Sequence, residues 1–272
     1  MKKPILTLYA LDAQVVAFST TRHGGYSSGQ YGEFNINRYC GDDEDAISRN
    51  REALCQWLGI GKRQLLMPHQ VHQTKIVKID ERLLELDDTA RLEALEDMDA
   101  IMTDVPGVCI GVSTADCIPL LLFDKRRHVV CAVHAGWRGT VQRIAEKAVT
   151  ALTTCYGSQP SDIVVQIGPG ISLANFEVGD EVYEAFHHAD FPMEHIARRY
   201  PTSNANNNHT AETRWHIDLP MCNRLQLLAA GLPECNIDML HVCTYEQHTD
   251  YFSARRLGIH SGRIFTGIML KA

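Results

Sequence analysis

Residues Ser113–Thr140 read STADCIPLLLFDKRRHVVCAVHAGWRGT. We expect the rest of the chain to be organised around this segment. It contains two short apolar runs, Ile118–Phe123 and Val129–Val133, which are separated by the charged segment Asp124–His128. Apolar runs of this length bounded by turn residues predict buried strands. The short polar segment between them predicts that the two strands form a hairpin.

A cysteine and a histidine stand at the open end of this predicted hairpin. Cys117 directly precedes the first apolar run, and His134 directly follows the second. Because a hairpin brings its two outer ends together, we expect the thiol and the imidazole to be neighbours. Two reactive groups held on rigid strand ends are typical of a functional site.

The composition limits the classes of protein to which this chain can belong. A chain of 272 residues with 45% hydrophobic residues can form one domain that spans residues 1–272. A net charge of −7 argues against a nucleic-acid partner, although a local arginine cluster can still bind a small anion. No apolar run is long enough for a membrane span. We expect a monomer or a weak homo-oligomer.

The cysteines indicate the redox environment. There are nine of them, an odd number, and none forms a Cys-x-x-Cys pair. Irregular spacing within apolar runs is typical of free thiols that pack as small hydrophobic side chains. The pattern therefore predicts a reducing compartment and a cytoplasmic protein.

Strand and helix patterns alternate along the rest of the chain. Strands are predicted at Val15–Ser19 and Ile163–Ile167, and helices at Asp45–Leu58 and Thr140–Cys155. The polar segment Arg198–Arg214 is predicted to be a loop. Together these elements predict one α+β domain with mixed sheets.

Cys117 and His134 need only one further histidine to form a three-ligand metal site with an open position, which is the format of catalytic zinc. His72 is our first choice, because it lies in a short polar interruption of a strand-rich region. The set suits zinc or copper. A multi-copper cluster is disfavoured, because the sequence has no His-x-His pair. Three other histidines remain alternatives for the third ligand: His69, His23 and His128.

The same pair also allows chemistry without a metal. Cys117 would then be a nucleophile and His134 its general base. A carboxylate that orients the imidazole completes such an arrangement, and Asp116 or Asp99 could supply it. The residues alone leave both mechanisms open.

Several motifs match a known family along almost the whole chain. They are TRHGGYS (Thr21–Ser27), TADCIP (Thr114–Pro119), HAGWRGT (His134–Thr140), IGPGIS (Ile167–Ser172) and FSARR (Phe252–Arg256). With them the chain resembles the bacterial laccase-domain, or polyphenol oxidase-like, family. That family also includes proteins described as purine nucleoside phosphorylases and the peptidoglycan editing factor.

The resemblance implies a fold, a metal site and an activity. The fold would be a layered α/β/β/α sandwich similar to putative cysteine hydrolases, and the family's metal ligands map onto His72, Cys117 and His134. The implied activities are phosphorolysis of adenosine, inosine, guanosine and methylthioadenosine, and deamination of adenosine. Copper-linked phenol oxidation and hydrolysis of a peptidoglycan precursor, such as a muramyl nucleotide–serine amide, are the alternatives.

The implied reactions need further residues around a nucleoside and phosphate. Asp116 or Asp99 could protonate the amine that leaves during deamination. Asn35 could orient the ribose hydroxyls or phosphate. Phosphate would be held by arginine, whose planar fork binds oxygen atoms in pairs; the candidates are Arg22, Arg138 and Arg255.

Overall fold

The computed structural model describes residues 2–201 and 213–272. The strands are β1 (Leu6–Tyr9), β2 (Val15–Thr20), β3 (Leu65–Leu66), β4 (Ile76–Ile79), β5 (Ala100–Thr103), β6 (Cys109–Thr114), β7 (Ile118–Asp124), β8 (Val129–Ala135), β9 (Ile163–Ile167), β10 (Glu177–Val178), β11 (Ala197–Pro201), β12 (Thr213–Ile217), β13 (Ile237–Met239) and β14 (Ile264–Leu270). The α-helices are α1 (Glu44–Leu58), α2 (Glu81–Glu85), α3 (Asp88–Ala94), α4 (Trp137–Val141), α5 (Ile144–Tyr156), α6 (Asp180–His188), α7 (Met193–Ile196), α8 (Leu219–Ala229) and α9 (Ala254–Leu257). None of these helices is both long and apolar enough to cross a membrane.

The strands form two large sheets and one small sheet. The five-stranded sheet has the order β1-β2-β14-β6-β3, and the six-stranded sheet has the order β13-β9-β7-β8-β5-β4. Most neighbours are antiparallel, but β3–β6, β4–β5 and β13–β9 are parallel pairs. The third sheet has the order β10-β12-β11. The predicted α+β class with mixed sheets is confirmed.

The alternation of side chains along the central strands explains why the two large sheets stack. Leu121 of β7 and Val130 of β8 pack against Ile110 and Ile268 of the five-stranded sheet. The alternate residues along the same strands, such as Leu120, pack against helices α5 and α8 on the other face of the sheet. Helix α1 covers the outer face of the five-stranded sheet. The resulting order of layers is the α/β/β/α sandwich that the resemblance implied.

The predicted hairpin is strands β7 and β8. Ile118 pairs with Ala135 and Pro119 with His134, so Cys117 and His134 lie at the same end. At the other end, Asp124 Oδ1 accepts hydrogen bonds from the backbone N–H groups of Arg126 and Arg127 at 2.8 and 2.9 Å. These bonds fix the turn, and the turn fixes the register that brings the thiol to the imidazole.

Two predictions about local structure were wrong in part. The helix predicted at Thr140–Cys155 is two helices, α4 and α5, which are separated at Arg143 because its φ is +64°. The segment predicted as a loop at Arg198–Arg214 contains β11 and the start of β12. Much of β11 is exposed and polar, so it lacks the apolar alternation by which a strand is recognised. The central part of that segment, residues 202–212, lies outside the described residues.

Candidate metal centre

The structure brings His72, Cys117 and His134 together. One ligand atom from each lies within 4.8 Å of the others. The two imidazole rings meet edge to face, with centroids 4.7 Å apart. His134 is buried, Cys117 is half-buried and His72 is exposed. A partly open cluster of one thiol and two imidazoles has the donor types of a catalytic zinc site.

The architecture of the six-stranded sheet explains why these residues meet. Ala100 of β5 pairs with Val133 of β8, and with Ile76 of β4. The residues just before β4 and β5 therefore lie beside His134, at the end of β8. His72 is in the segment that leads into β4, and Cys117 is in the turn that leads into β7.

The other candidates for the third ligand lie elsewhere. His69 pairs with Glu96 and stacks on Tyr39, with ring centroids 4.1 Å apart. The imidazole of His23 is 3.0 Å from a carboxylate oxygen of Asp250. His128 is in the turn at the opposite end of the hairpin from Cys117. His72 is therefore the histidine that the fold adds to the pair.

Asp99 positions both histidines. Its side chain is fully buried, and its Oδ1 lies 2.8 Å from His134 Nδ1. The same carboxylate accepts the backbone N–H of His72 at 2.9 Å and of Gln73 at 2.7 Å. His72 has a φ of +61°, and these bonds hold it in that uncommon conformation. A carboxylate that takes the second imidazole nitrogen is the usual outer partner of a metal-binding histidine.

The ionisation of the thiol suits metal binding. Burial raises the pKa of Cys117, but the charge of His134 and hydrogen bonds from His134 and His72 outweigh burial and lower the pKa to about 6. Burial lowers the pKa of His134, but Cys117 and Asp99 outweigh it and raise the pKa to about 9. Cys117 is therefore available as a thiolate near neutral pH, which is the form that binds metal.

Gly136 leaves space for the cluster. A Cβ atom at this position would lie 2.8 Å from His72 Cδ2, 3.2 Å from Cys117 Sγ and 3.6 Å from His134 Cε1. Its backbone angles, φ −70° and ψ 166°, are accessible to any residue. The requirement for glycine therefore comes from the three candidate ligands and not from the backbone.

We expect Gly136→Ala to weaken metal binding while the protein remains folded. The added methyl would push His72 and Cys117 apart without straining the backbone. Elemental analysis and thermal unfolding measure the two effects. Gly61→Ala is the control, because a Cβ there approaches only Gln64 Oε1, at 3.3 Å. Metal content equal to that of the unmodified protein would contradict this role for Gly136.

Asp116 lies beside Cys117 but its carboxylate is already bonded. Thr244 donates its hydroxyl to Oδ1, and the backbone N–H of Arg255 donates to Oδ2, both at 2.7 Å. The φ of Asp116 is +87°, an uncommon conformation that these bonds stabilise. Through these bonds Asp116 holds the turn before Cys117 in place. Its role as an acid stays a prediction, and Asp99 is the carboxylate that contacts His134.

Asn35 is held by hydrogen bonds within the protein. It is fully buried, and its Nδ2 donates to Asn37 O and Asp42 Oδ2. Its Oδ1 accepts the backbone N–H groups of Asn37 and Arg263. All of its hydrogen-bonding capacity is used within the protein. Contact of Asn35 with ribose or phosphate therefore stays a prediction, and it would require some of these hydrogen bonds to be exchanged for bonds to the ligand.

We expect Asn35→Ala to act on stability. Loss of the amide leaves buried backbone groups without partners, which costs roughly 3 kcal/mol of unfolding free energy. Chemical denaturation measures this loss. The metal content of the protein that remains folded should not change, and a variant with normal stability and lost turnover would instead restore the ligand-binding role.

The three predicted arginines differ in how far their side chains are engaged. Arg22 donates from Nη1 to His248 O at 2.6 Å and lies over the ring of Phe252. Arg255 donates from Nη1 to Glu177 O at 3.0 Å. Arg138 is exposed, stacks on Trp137 and forms no ion pair with the residues that the structure describes. Arg138 is therefore the most available of the three for phosphate.

The residues that support the cluster could not be recognised from the sequence alone. Gln70 bonds to both backbone groups of Ser113, through Nε2 at 2.8 Å and Oε1 at 2.7 Å, and so ties the His72 segment to β6. A Cβ at Gly170 would lie 3.1 Å from Asp116 O, so this glycine allows close packing against the Cys117 turn. Gly170 falls in the matched motif Ile167–Ser172, but the motif does not show what it contacts.

Comparison with known proteins identifies the family. The family described as "Multi-copper polyphenol oxidoreductase laccase" matches residues 16–271. This chain belongs to that family. The predicted resemblance is confirmed.

Two named relatives and one solved structure align with nearly all of the chain. A protein named purine nucleoside phosphorylase from Bacteroides thetaiotaomicron is 42% identical over 93% of this chain and 90% of its own length. A protein named adenosine deaminase RL5, from an unknown prokaryotic organism, is 44% identical over 94% of both chains. The crystal structure of YlmD from Geobacillus stearothermophilus has a TM-score of 0.83 at 31% identity, covering 97% of this chain and 94% of that chain.

The donor set fits one metal ion better than the copper cluster in the family description. Among residues 2–201 and 213–272, the group around Cys117 contains only His72 and His134 as further candidate ligands. A multi-copper cluster would need more imidazoles at this point. A single ion with three protein ligands and an open position fits the residues present.

Proposed function

We propose that this protein is a zinc-dependent purine nucleoside enzyme. Its reactions would be phosphorolysis of adenosine, inosine, guanosine and methylthioadenosine, and deamination of adenosine. The observation that carries the proposal is the cluster of His72, Cys117 and His134, whose ligand atoms lie within 4.8 Å of one another. The names of the relatives that are 42% and 44% identical support the substrate class.

Zinc is the metal that the site favours. Two imidazoles and one thiolate with an open position form a catalytic zinc format, although copper accepts the same donors. When bound, zinc supplies a Lewis acid that polarises the reacting group or activates water. The chain's nine cysteines are all free, which agrees with the reducing, cytoplasmic location that we propose.

The residues of the chain prepare this site before substrate arrives. Asp99 accepts the Nδ1 hydrogen of His134, so Nε2 is the nitrogen that would bind the metal after losing its own proton. The backbone N–H of His72 donates to the same carboxylate, so both imidazoles are fixed against one rigid group. Burial of His134 excludes water from one side of the cluster. The exposed His72 lies on the side from which a nucleoside would enter.

Phosphate needs a cation close to the cluster. Arg138 follows Gly136 by two residues and has a guanidinium that forms no ion pair with any described residue. Arg22 and Arg255 could act with it, but each already donates to a backbone carbonyl. We therefore assign the main phosphate contact to Arg138.

A turnover assay with adenosine tests the proposal. Zinc-loaded protein should release adenine and ribose 1-phosphate when phosphate is present, and inosine and ammonia when it is absent. Arg138→Met should raise the KM for phosphate about tenfold and leave deamination unchanged, because one charged hydrogen bond is lost. Arg126→Met is the matched control, since Arg126 is exposed at the far end of the hairpin. Zinc-loaded protein without activity on any of the nucleosides would overturn the substrate class.

A thiol mechanism is the second candidate. Cys117, His134 and Asp99 also form a nucleophile–base–orienter arrangement, with the pKa of Cys117 lowered to about 6. Such an enzyme could hydrolyse an amide in a peptidoglycan precursor. It would lose activity on alkylation and be indifferent to chelation. Because Cys155 and Cys235 are exposed, the alkylation should be done in a variant with serine at both positions.

Phenol oxidation is the weakest candidate, because the cluster lacks the ligands of a multi-copper site.

A further inference from the structure

A separate cavity of about 460 Å³ lies between α1, α3 and the segment that leads into β3. None of the residues that line it is a candidate ligand of the metal centre. Its lining combines apolar side chains with a concentration of positive charge, in a chain whose net charge is −7. The cationic residues that line it are Arg38, Arg51, Lys62, Arg63 and Arg91, and the acidic residues are Glu44 and Asp88.

Arg91 lines this cavity, and its guanidinium carries a donor without a partner among the described residues. Its side chain is only 12% exposed, and its Nη2 donates to Asp88 Oδ1 at 2.7 Å. Its Nη1 is buried and has no hydrogen-bond partner among the described residues. Arg63 shares the same Asp88 oxygen, at 3.2 Å. One exposed carboxylate therefore serves two guanidinium groups and leaves a surplus positive charge. A buried donor without a partner is costly, and a small shift of the guanidinium towards a ligand acceptor in the cavity would satisfy it.

Arg51 and Arg38 add to this surplus. Arg51 donates from Nη2 to Leu65 O at 3.0 Å, and no carboxylate pairs with it among the described residues. Burial and then the charge of Arg38 lower the pKa of Arg51 to about 10. Arg38 is exposed and forms no ion pair with a described residue. The two like charges repel each other, and an anion between them would relieve the repulsion.

The uncharged residues that line the cavity would contact an apolar or aromatic part of a ligand. Leu65, Leu66 and Leu95 are buried and contribute apolar surface. Tyr39 lines the cavity and is 42% exposed. Pockets for small molecules usually combine an apolar lining with a few convergent polar groups that fix orientation.

We propose that this cavity binds a phosphate-bearing small molecule with an aromatic or apolar body, such as a nucleoside monophosphate. The guanidinium groups of Arg91 and Arg51 bind the phosphate from inside, and Arg38 binds it at the rim. Phosphate is favoured over a single carboxylate, because a dianion with several acceptor oxygens matches several guanidinium forks at once. The site is distinct from the metal centre, so it does not depend on the proposed reaction.

Calorimetric titration of the full zinc-loaded chain with AMP tests this site. A saturating concentration of inosine is present throughout in phosphate-free buffer, so that the metal centre is occupied by a nucleoside that the protein does not consume. The variants are Arg91→Met and Arg38→Met, and Arg82→Met is the control, since Arg82 is exposed in α2 and does not line the cavity. Arg38→Met should fold normally because Arg38 is exposed and unpaired among the described residues; thermal unfolding checks Arg91→Met.

AMP should bind saturably in the presence of inosine. Each cavity variant should bind AMP about tenfold more weakly, whereas Arg82→Met should bind it normally. Adenosine turnover by Arg38→Met should equal that of the unmodified protein. The proposal is overturned if AMP does not bind, if inosine displaces it completely, or if both cavity variants bind it with unchanged affinity.

Discussion

Cys117→Ala is expected to remove both the metal and the turnover of nucleosides while leaving the fold intact. The variant loses one of only three protein donors, and the other two are neutral imidazoles when they bind a metal. Loss of an outer-sphere partner alone costs a metal site up to about 100-fold in affinity, so loss of this thiolate should cost more. Cys117 is half-buried and precedes β7, whose own side chains form the core. The melting temperature of the metal-free forms should therefore be similar.

Two other cysteines provide controls for this variant. Cys155→Ala changes an exposed thiol and should keep full metal content and activity. Cys131→Ala removes a fully buried core thiol from β8, so it should lower stability without lowering the metal content of the folded protein. Cys117→Ala protein that holds a full complement of metal and remains active would show that the cluster is not the site of reaction.

Asp99→Asn is the second substitution with a large expected effect. One carboxylate accepts bonds from the ring of His134 and from the backbone N–H groups of His72 and Gln73. An asparagine has one NH₂ group, which must face one of these donors whichever way the amide is turned. We expect metal affinity to fall about 10- to 100-fold, as for the loss of other outer-sphere partners. Competition with a metal-binding dye measures this affinity.

A second buried carboxylate on the hairpin makes a matched control. Asp124 is fully buried at the other end of β7, where its Oδ1 caps the turn and its Oδ2 has no described partner. In Asp124→Asn the NH₂ group can take the position of Oδ2 without meeting a donor. This variant should bind metal normally. Equal metal affinities for the two variants would show that Asp99 has no special role in positioning the histidines.

The hairpin could be predicted because the residues that define it are close together in the sequence. Two apolar runs and one polar turn define β7 and β8, and the geometry of a hairpin then places Cys117 beside His134. The layered order of the sheets could be predicted only through the family resemblance. The break at Arg143 and the strands β11 and β12 were missed, because a tertiary hydrogen bond of Arg143 and strand pairing within the small sheet stabilise them more than a local apolar pattern does.

The rest of the site depends on contacts between distant segments. His72 was one of four possible third ligands until the parallel pairing of β4 with β5 placed its segment beside Asp99. Asp99 was one of two possible orienting carboxylates until the register of β5 and β8 placed it opposite His134. The arginine-rich cavity could not be predicted at all, because Arg38, Arg51 and Arg91 come from three separate segments.

Elemental analysis of the purified protein, combined with a turnover assay on adenosine before and after chelation, tests whether the His72–Cys117–His134 cluster is a catalytic metal site. We predict bound zinc in an amount close to that of the protein chain. Activity should be lost with a chelator and restored by zinc. A metal-free protein that turns over substrate, is indifferent to chelation and is inactivated by alkylation of Cys117 would contradict the account and support the thiol mechanism.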